Sequence, residues 1–217
     1  MKYWKSTIGR KQMVGLGGLA LALFVLIHML GNLLIFVGPR AYNEYSHALT
    51  SNELIYLAEA GLVLFFLVHV IFSLALQLRN WAARPQGYAV KSNGPKGTSP
   101  VKRSLWAQGI IILVFIILHL VTFKYGTYYS VDYGQGDIRD LYRLVLEVFH
   151  APGYVVWYVI CLLLLGFHLS HGVASSFQTL GFNHPKYTPC IRKIGLAYAV
   201  IVSLGFIVQP VYVYFFA

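Results

Sequence analysis

Five long runs of apolar residues, separated by polar segments, dominate the sequence. They cover residues 13–37, 54–79, 105–125, 153–178 and 194–216. Each run provides the ~20 helical residues needed to cross a hydrocarbon core of about 30 Å. Because a backbone in lipid must satisfy its own hydrogen bonds, the runs predict transmembrane helices rather than open sheets. The sequence therefore predicts an all-α integral membrane protein, a five-transmembrane-helix bundle forming one domain over residues 1–217.

Composition supports the same class. Apolar residues make up 58% of the 217 residues and charged residues only 11%, a balance far from that of a soluble domain. Basic residues precede the first run, as they do in a secretory signal. That run is longer than the apolar region of a signal and has no small-x-small cleavage site. We therefore expect an uncleaved first span.

The net charge of +10 is unevenly placed along the chain. If the N-terminus is cytoplasmic, most lysines and arginines fall on the cytoplasmic side, while the seven acidic residues fall on the other side. The positive-inside rule then predicts a cytoplasmic N-terminus and an external C-terminus. Nucleic-acid binding is disfavoured, because the basic residues lie in short loops between spans.

Two connecting segments are longer than the rest. The segment 80–103 is rich in Gly, Pro and cations, which indicates a surface connection on the cytoplasmic side. The stretch "DIRDLYRLVLEVFHAP", residues 137–152, places apolar residues on one helical face and predicts an amphipathic helix at the outer interface. Cys161 lies within the fourth span and Cys190 in an inner loop, so no disulfide is expected.

Five histidines lie inside the spans: His28, His69, His119, His168 and His171. An ionisable side chain is costly in a membrane, and function is therefore the first hypothesis for each. A single histidine could instead hydrogen-bond a neighbouring helix. Four different helices that each carry one are harder to explain in that way.

Depth along the helices separates these histidines into pairs. At ~1.5 Å per residue, His28 and His119 lie about 22 and 21 Å from the inner ends of their spans. His69 and His168 both lie ~15 Å from the inner end. His171 is ~4.5 Å nearer the inner surface, so it matches His69 less well. Depth therefore pairs His28 with His119 and His69 with His168.

Two histidines at one depth on different helices can bind the iron of a haem from both sides. Zinc would need three or four ligands at one point, which two separated pairs do not supply. The sequence therefore predicts two bis-histidine haems, held non-covalently because no C-x-x-C-H motif is present. Both axial positions are filled, which favours electron transfer over oxygen chemistry. Five small residues could leave room for the rings, although small residues are equally normal at helix contacts: Gly31, Gly61, Gly166, Ser170 and Gly172.

The segments "LIHMLGN", "LVHVIFS", "ILHLVTF" and "GFHLSHG" occur in this order on successive spans. The chain thereby resembles the dihaem cytochrome b subunit of succinate:quinone oxidoreductases and quinol:fumarate reductases, the complex II family. The resemblance implies two haem b groups, exchange of electrons with a quinone, expected to be menaquinone, and a bacterial inner membrane. It also implies that the chain is the non-flavin membrane anchor for a flavoprotein subunit and an iron–sulphur subunit on the cytoplasmic face.

Carried over by position, His28 and His119 would hold the outer haem, and His69 and His168 the inner one. His171 matches no axial ligand of that family, and we expect it to contact the inner haem as a neighbour of His168. The first span also lacks a serine that the family would lead one to expect at its start. Four side chains could meet haem propionates at the inner end: Gln12, Lys102, Arg103 and His171.

Glu59 is the candidate catalytic residue. It lies near the outer end of the second span, close to the level of His28, and a carboxylate there suits proton exchange with a quinol. The competing interpretation is an interfacial glutamate that only reaches water. Surface solvation equally explains the other charged and titratable residues of the outer side, among them Glu44, His47, Glu53 and Lys124.

Two other functions compete with this one. A cytochrome b subunit of a membrane hydrogenase or formate dehydrogenase would also bind haem and use quinone, and its co-purifying catalytic partner would distinguish it. A haem-free transporter could use the histidines as proton sites. Its reduced-minus-oxidised absorbance spectrum would be blank.

Overall fold

Eight helices and one small hairpin make up the described part of the chain. The computed structural model describes residues 3–83, 100–134 and 136–217. The helices are α1 (Thr7–Asn32), α2 (Pro39–Thr50), α3 (Leu54–Ala82), α4 (Pro100–Arg103), α5 (Leu105–His119), α6 (Leu141–Phe149), α7 (Pro152–Thr179) and α8 (Thr188–Phe216). A 3-10 turn, Leu33–Phe36, extends α1, and a π-helical segment, Leu120–Lys124, extends α5. The strands are β1 (Ser130–Asp132) and β2 (Asp137–Arg139).

Five of these helices, α1, α3, α5, α7 and α8, are long and apolar enough to cross a membrane. They correspond one to one with the five apolar runs, so the predicted multi-pass helical architecture is confirmed. The near end of the bundle is the end that contains the start of α1. The far end is the opposite one, which contains α2, α6 and the hairpin.

Two spans begin earlier than the hydrophobic pattern predicts. The α1 helix starts at Thr7 because the Ser6 hydroxyl accepts a hydrogen bond from the Gly9 backbone N–H at 3.0 Å, which caps the first turn. The α8 helix starts at Thr188 and has a proline in its first turn, where a missing N–H is tolerated. Cys190 therefore lies in the first turn of α8 and not in a loop, which corrects the prediction.

Helices α1, α3, α5 and α7 surround a common interior. The α1 helix packs against α3 and α7, and α5 packs against α7. Within the described residues, α3 and α5 meet chiefly at their two ends. Trp81 and Trp106 stack edge to face at the near end, 5.5 Å between ring centroids, and Glu59 pairs with Lys124 at the far end. The diagonal pairs of this square are consequently α1 with α5 and α3 with α7.

The α8 helix lies behind this square and packs most closely on α7. A Cβ added to Gly166 would lie 2.9 Å from the Ser203 hydroxyl, and one added to Gly195 would lie 3.3 Å from the Ala174 backbone nitrogen. The Ser203 hydroxyl also donates a hydrogen bond to the Leu162 carbonyl at 2.9 Å. Small residues thus let the two backbones approach, as is usual for membrane helices.

The far end carries a polar cap that the sequence predicts only in part. The predicted amphipathic helix exists, but it begins at Leu141, and Ile138 instead pairs with Val131 between β2 and β1. Asp140 determines this start, because its side chain accepts a hydrogen bond from the Arg143 N–H at 3.1 Å. The buried face of α6 consists of Leu144, Val145 and Phe149.

Asn43 of α2 ties the parts of this cap together. It is fully buried, and its amide nitrogen donates to an Asp140 carboxylate oxygen at 2.8 Å and to the Tyr133 hydroxyl at 3.2 Å. Its amide oxygen accepts from the Tyr142 N–H at 2.9 Å. These bonds satisfy a buried polar group that would otherwise cost about 1–3 kcal/mol. The cap is thereby fixed over the far end of the bundle.

Candidate functional site

The first candidate pair lies in the half of the bundle nearer the far end. His28 of α1 and His119 of α5 face each other with ring centroids 5.8 Å apart and ring planes at 89°. Their helices form one diagonal of the square. The histidines thus meet across the interior rather than at an interface between neighbouring helices.

The second pair occupies the other diagonal. His69 of α3 and His168 of α7 have ring centroids 6.2 Å apart and ring planes at 72°. These are the same partners that depth along the helices indicates. His171 lies one turn further along α7 and does not take part in this ring pair.

The spacing of both pairs fits two ligands on opposite sides of one metal. An imidazole nitrogen bonds a metal at ~2 Å, which places the centres of two opposed rings roughly 6 Å apart. Neighbouring helices are ~8–10 Å apart, so only the diagonals of the square, roughly 13 Å, leave room for a macrocycle between the ligands. Among the described residues no group of three or more His, Cys, Asp or Glu could hold a metal ion. A bis-histidine haem needs only two, and the residues fit it.

Hydrogen bonds orient two of the four rings. His69 Nδ1 lies 3.1 Å from the Val14 carbonyl oxygen, which can only accept, so Nδ1 carries the proton and Nε2 is left to bind a metal. His119 Nδ1 lies 3.2 Å from the hydroxyl of buried Tyr158. Such partners fix the orientation of a ligating imidazole and tune its basicity.

The other two rings are held differently. The Asn32 amide nitrogen donates to the His28 backbone carbonyl at 2.8 Å and lies 3.4 Å from each nitrogen of its ring. Asn32 in turn accepts a hydrogen bond from the Tyr42 hydroxyl at 2.8 Å, which connects the site to α2. Burial raises the pKa of Tyr42, so it remains a donor. His168 Nδ1 is buried and has no partner among the described residues, and only a bond at Nδ1 itself would satisfy it.

Two glycines of α1 make room for His69. A Cβ on Gly18 would lie 3.3 Å from both Cε1 and Nδ1 of the ring, and a Cβ on Gly17 would lie 3.1 Å from the Phe65 carbonyl oxygen. For other small residues the sequence left both ring space and helix contact open, and two of them serve helix contacts. Gly31 faces Tyr45 on α2, and Gly166 faces α8. The stretch "GLGGLA" carried the relevant signal.

Aromatic side chains surround the first pair. Phe115, Phe123 and Tyr158 have ring centroids within 5.3–6.2 Å of the His119 ring. Phe24 stacks on His28 at 5.4 Å. Sequence reasoning missed these contacts, although the spacing of Phe115, His119 and Phe123 by four residues places them on one helical face.

A polar cavity of about 460 Å³ opens at the near end, below the second pair. His171 lines it, together with Lys11 and the polar side chains of Ser175, Gln178 and Thr179. The Gln12 side-chain oxygen is buried without a partner among the described residues. The Lys11 ammonium and the hydroxyl and amide donors of this lining suit the carboxylates of a group held by His69 and His168, whereas the Gln12 oxygen can only accept. Lys11 is a contributor that the sequence pattern does not single out.

Glu59 is partly exposed at the far end and has a charged partner there. Its side chain is 41% exposed and forms an ion pair with Lys124, which is exposed to the same extent. Glu59 and Lys124 are 65 positions apart in the sequence, so no local pattern marks them as partners. The structure joins them in one charged pair at the far end.

Of the loop 80–103, residues 84–99 lie outside the described part of the chain, as does the side chain of Lys102. The expectation that this segment forms a surface connection falls largely on those residues. Arg103 is exposed at the near end.

No protein-family model, curated protein or solved structure matches the chain.

Proposed function

We propose that this chain is the membrane anchor and electron-transfer subunit of a succinate dehydrogenase or quinol:fumarate reductase, and that it holds two haem b groups. The observation that supports this proposal is the presence of two histidine pairs on the two diagonals of one helical square. A lone histidine serving as a hydrogen-bonding group would not require a second one opposite it. Two such coincidences at different depths favour a pair of flat, iron-containing cofactors.

The chain's own residues would position these groups. His28 and His119 would hold one haem from α1 and α5, and His69 and His168 would hold the other from α3 and α7. When bound, the two haems would supply one-electron transfer, the chemistry expected of a haem held by two histidines. The carbonyl of Val14 and the hydroxyl of Tyr158 orient His69 and His119.

The two pairs lie at different levels, roughly 7 Å apart along the bundle by helical rise. Electrons would therefore pass from one end of the bundle towards the other. The near end, which we assign to the cytoplasmic side, would face the iron–sulphur subunit through residues 80–103 and 181–193. The far end would face the quinone, and the pair of Glu59 and Lys124 there supplies a carboxylate for proton exchange with a quinol.

Haem content tests the proposal. The purified chain should contain two haems, and its reduced-minus-oxidised spectrum should show b-type bands. Co-purified flavin would favour the succinate or fumarate enzyme, whereas a nickel-containing or molybdenum-containing partner would favour a hydrogenase or a formate dehydrogenase. A chain that purifies folded, receives haem in the growth medium and shows a blank difference spectrum would contradict the proposal and favour a haem-free transporter.

A further inference from the structure

The β1–β2 hairpin places a guanidinium at the end of the helix that carries His119. Arg139 of β2 donates hydrogen bonds to three backbone carbonyls, those of Phe123 at 2.9 Å, Lys124 at 3.2 Å and Thr127 at 3.4 Å. Phe123 and Lys124 belong to the π-helical segment that extends α5. The last carbonyls of a helix have no partner within the helix itself. Arg139 therefore caps the far end of α5.

No carboxylate among the described residues neutralises the charge of Arg139. The ion pairs found there join other side chains. Arg139 is half-buried, and its Nε is buried without a hydrogen-bond partner among the described residues. The centre of its guanidinium lies 5.8 Å from the centre of the Tyr128 ring. Because a partly buried charge is screened less than an exposed one, the field of Arg139 extends into the bundle.

The hairpin holds Arg139 in a fixed position. Arg139 pairs with Ser130 across the two strands. The turn is fixed by the Asp132 carboxylate, which accepts hydrogen bonds from the N–H groups of Gly134 at 2.7 Å and Gly136 at 3.1 Å. Both glycines have a positive φ, 91° and 100°, which a residue with a Cβ rarely adopts. The hairpin thus acts as a support that presents one guanidinium to α5.

The capped segment lies about one turn beyond His119. Phe123 follows His119 by four residues, ~6 Å of helical rise, and the centroids of their rings are 5.3 Å apart. An uncapped helix end presents roughly half a negative charge. The guanidinium of Arg139 cancels that charge and leaves a net positive charge behind His119. A positive charge disfavours the ferric state of a haem, which carries one more positive charge than the ferrous state.

We infer that Arg139 is a positioning residue for the site of His28 and His119, because it caps α5 behind His119 and its charge raises the reduction potential of a haem held there. The inference rests on the proposed function and gives the hairpin a role in it. At roughly 10 Å and an effective dielectric constant of about 20, one charge changes the ratio of ferrous to ferric haem about tenfold. That change corresponds to ~59 mV for one electron.

Redox titration of the purified chain in lipid nanodiscs, followed by difference absorbance, tests the inference. Arg139→Gln should make the outer haem, the one that His119→Ala removes, about tenfold harder to reduce, a fall of ~59 mV. Arg139→Lys keeps the charge and should restore most of this potential. Arg143→Gln is the matched control at the same end. Arg143 is 59% exposed and paired with Glu147, so its loss should leave both potentials unchanged.

Ser130→Asp tests the charge while the cap stays in place. Ser130 is exposed, and the side chains of paired strand residues lie on the same face, so the new carboxylate would lie beside the guanidinium. Ser130→Asp should lower the potential of the outer haem, whereas Ser130→Asn should not. This pair decides the matter if Arg139→Gln does not fold.

The haem content separates this inference from the function on which it rests. Two bound haems with an unchanged outer potential in Arg139→Gln, or in Ser130→Asp where the former does not fold, would overturn the inference and leave the proposed function standing. Equal falls in Arg139→Gln and Arg139→Lys would also overturn it, because lysine keeps the charge. A folded chain that binds no haem would overturn both.

Discussion

Adding one methyl group at Gly18 should weaken the site of His69 and His168 alone. A Cβ there would lie 3.3 Å from Cε1 and Nδ1 of His69, closer than the ~3.5–4.0 Å of an ordinary contact. The ring must move by a few tenths of an ångström, away from a Val14 carbonyl that is already 3.1 Å distant. Losing that hydrogen bond is worth about 0.5–1.5 kcal/mol. Gly18→Ala should therefore bind the inner haem roughly 2- to 12-fold more weakly.

Titration of the purified variant with haem measures the affinity, and a redox titration followed by difference absorbance measures the potential of each bound haem. In Gly18→Ala, the haem whose occupancy falls should be the same haem that His168→Ala removes. The second haem should keep its redox potential. Gly109→Ala is the control, because its Cβ meets nothing within 4 Å. Unchanged occupancy and unchanged potentials in Gly18→Ala would refute the idea that the His69 ring is held in its ligating orientation by the close approach of α1.

Two predictions concern the far end. Glu59→Gln should slow quinone-linked turnover while both haems stay bound, and Lys124→Met should slow it less. Unchanged turnover in Glu59→Gln would show that the ion pair of Glu59 and Lys124 is only a structural contact. The hydroxyl of Tyr129 donates to Glu147 and, with Arg143, lowers the pKa of that carboxyl from 4.5. Because the carboxyl pKa of Glu147 is lower in the folded chain, its ionised form stabilises the fold at pH values above about 4.5. This stabilisation is lost as the pH falls through the lowered pKa. The difference in thermal midpoint between wild type and Glu147→Gln should thus shrink from pH ~7 to pH ~3, and an equal difference at both pH values would contradict this.

The sequence predicts the spans well because their signal is local. A run of about 20 apolar residues identifies a membrane helix regardless of its neighbours. The pairing of histidines by depth also needs only helical rise, and the structure brings together the same partners. Depth does not say which helices are diagonal, however, because that depends on packing between distant segments.

Contacts between distant segments account for most of what sequence reasoning missed. Tyr158 and His119 are 39 residues apart, and Asn43 and Asp140 are 97 apart. No local pattern marks these residues as partners. Ile138 shows the opposite limitation: it fits the helical periodicity, yet strand pairing with Val131 and the helix cap at Asp140 place it in a hairpin.

The most direct test of the central claim is the haem that each histidine substitution removes. Four variants, each with one histidine changed to alanine, would be compared by redox titration of the purified chain. We expect His28→Ala and His119→Ala to lose the same haem, and His69→Ala and His168→Ala to lose the other. Loss of the same haem from His28→Ala and His69→Ala, or retention of both haems in all four variants, would contradict the account.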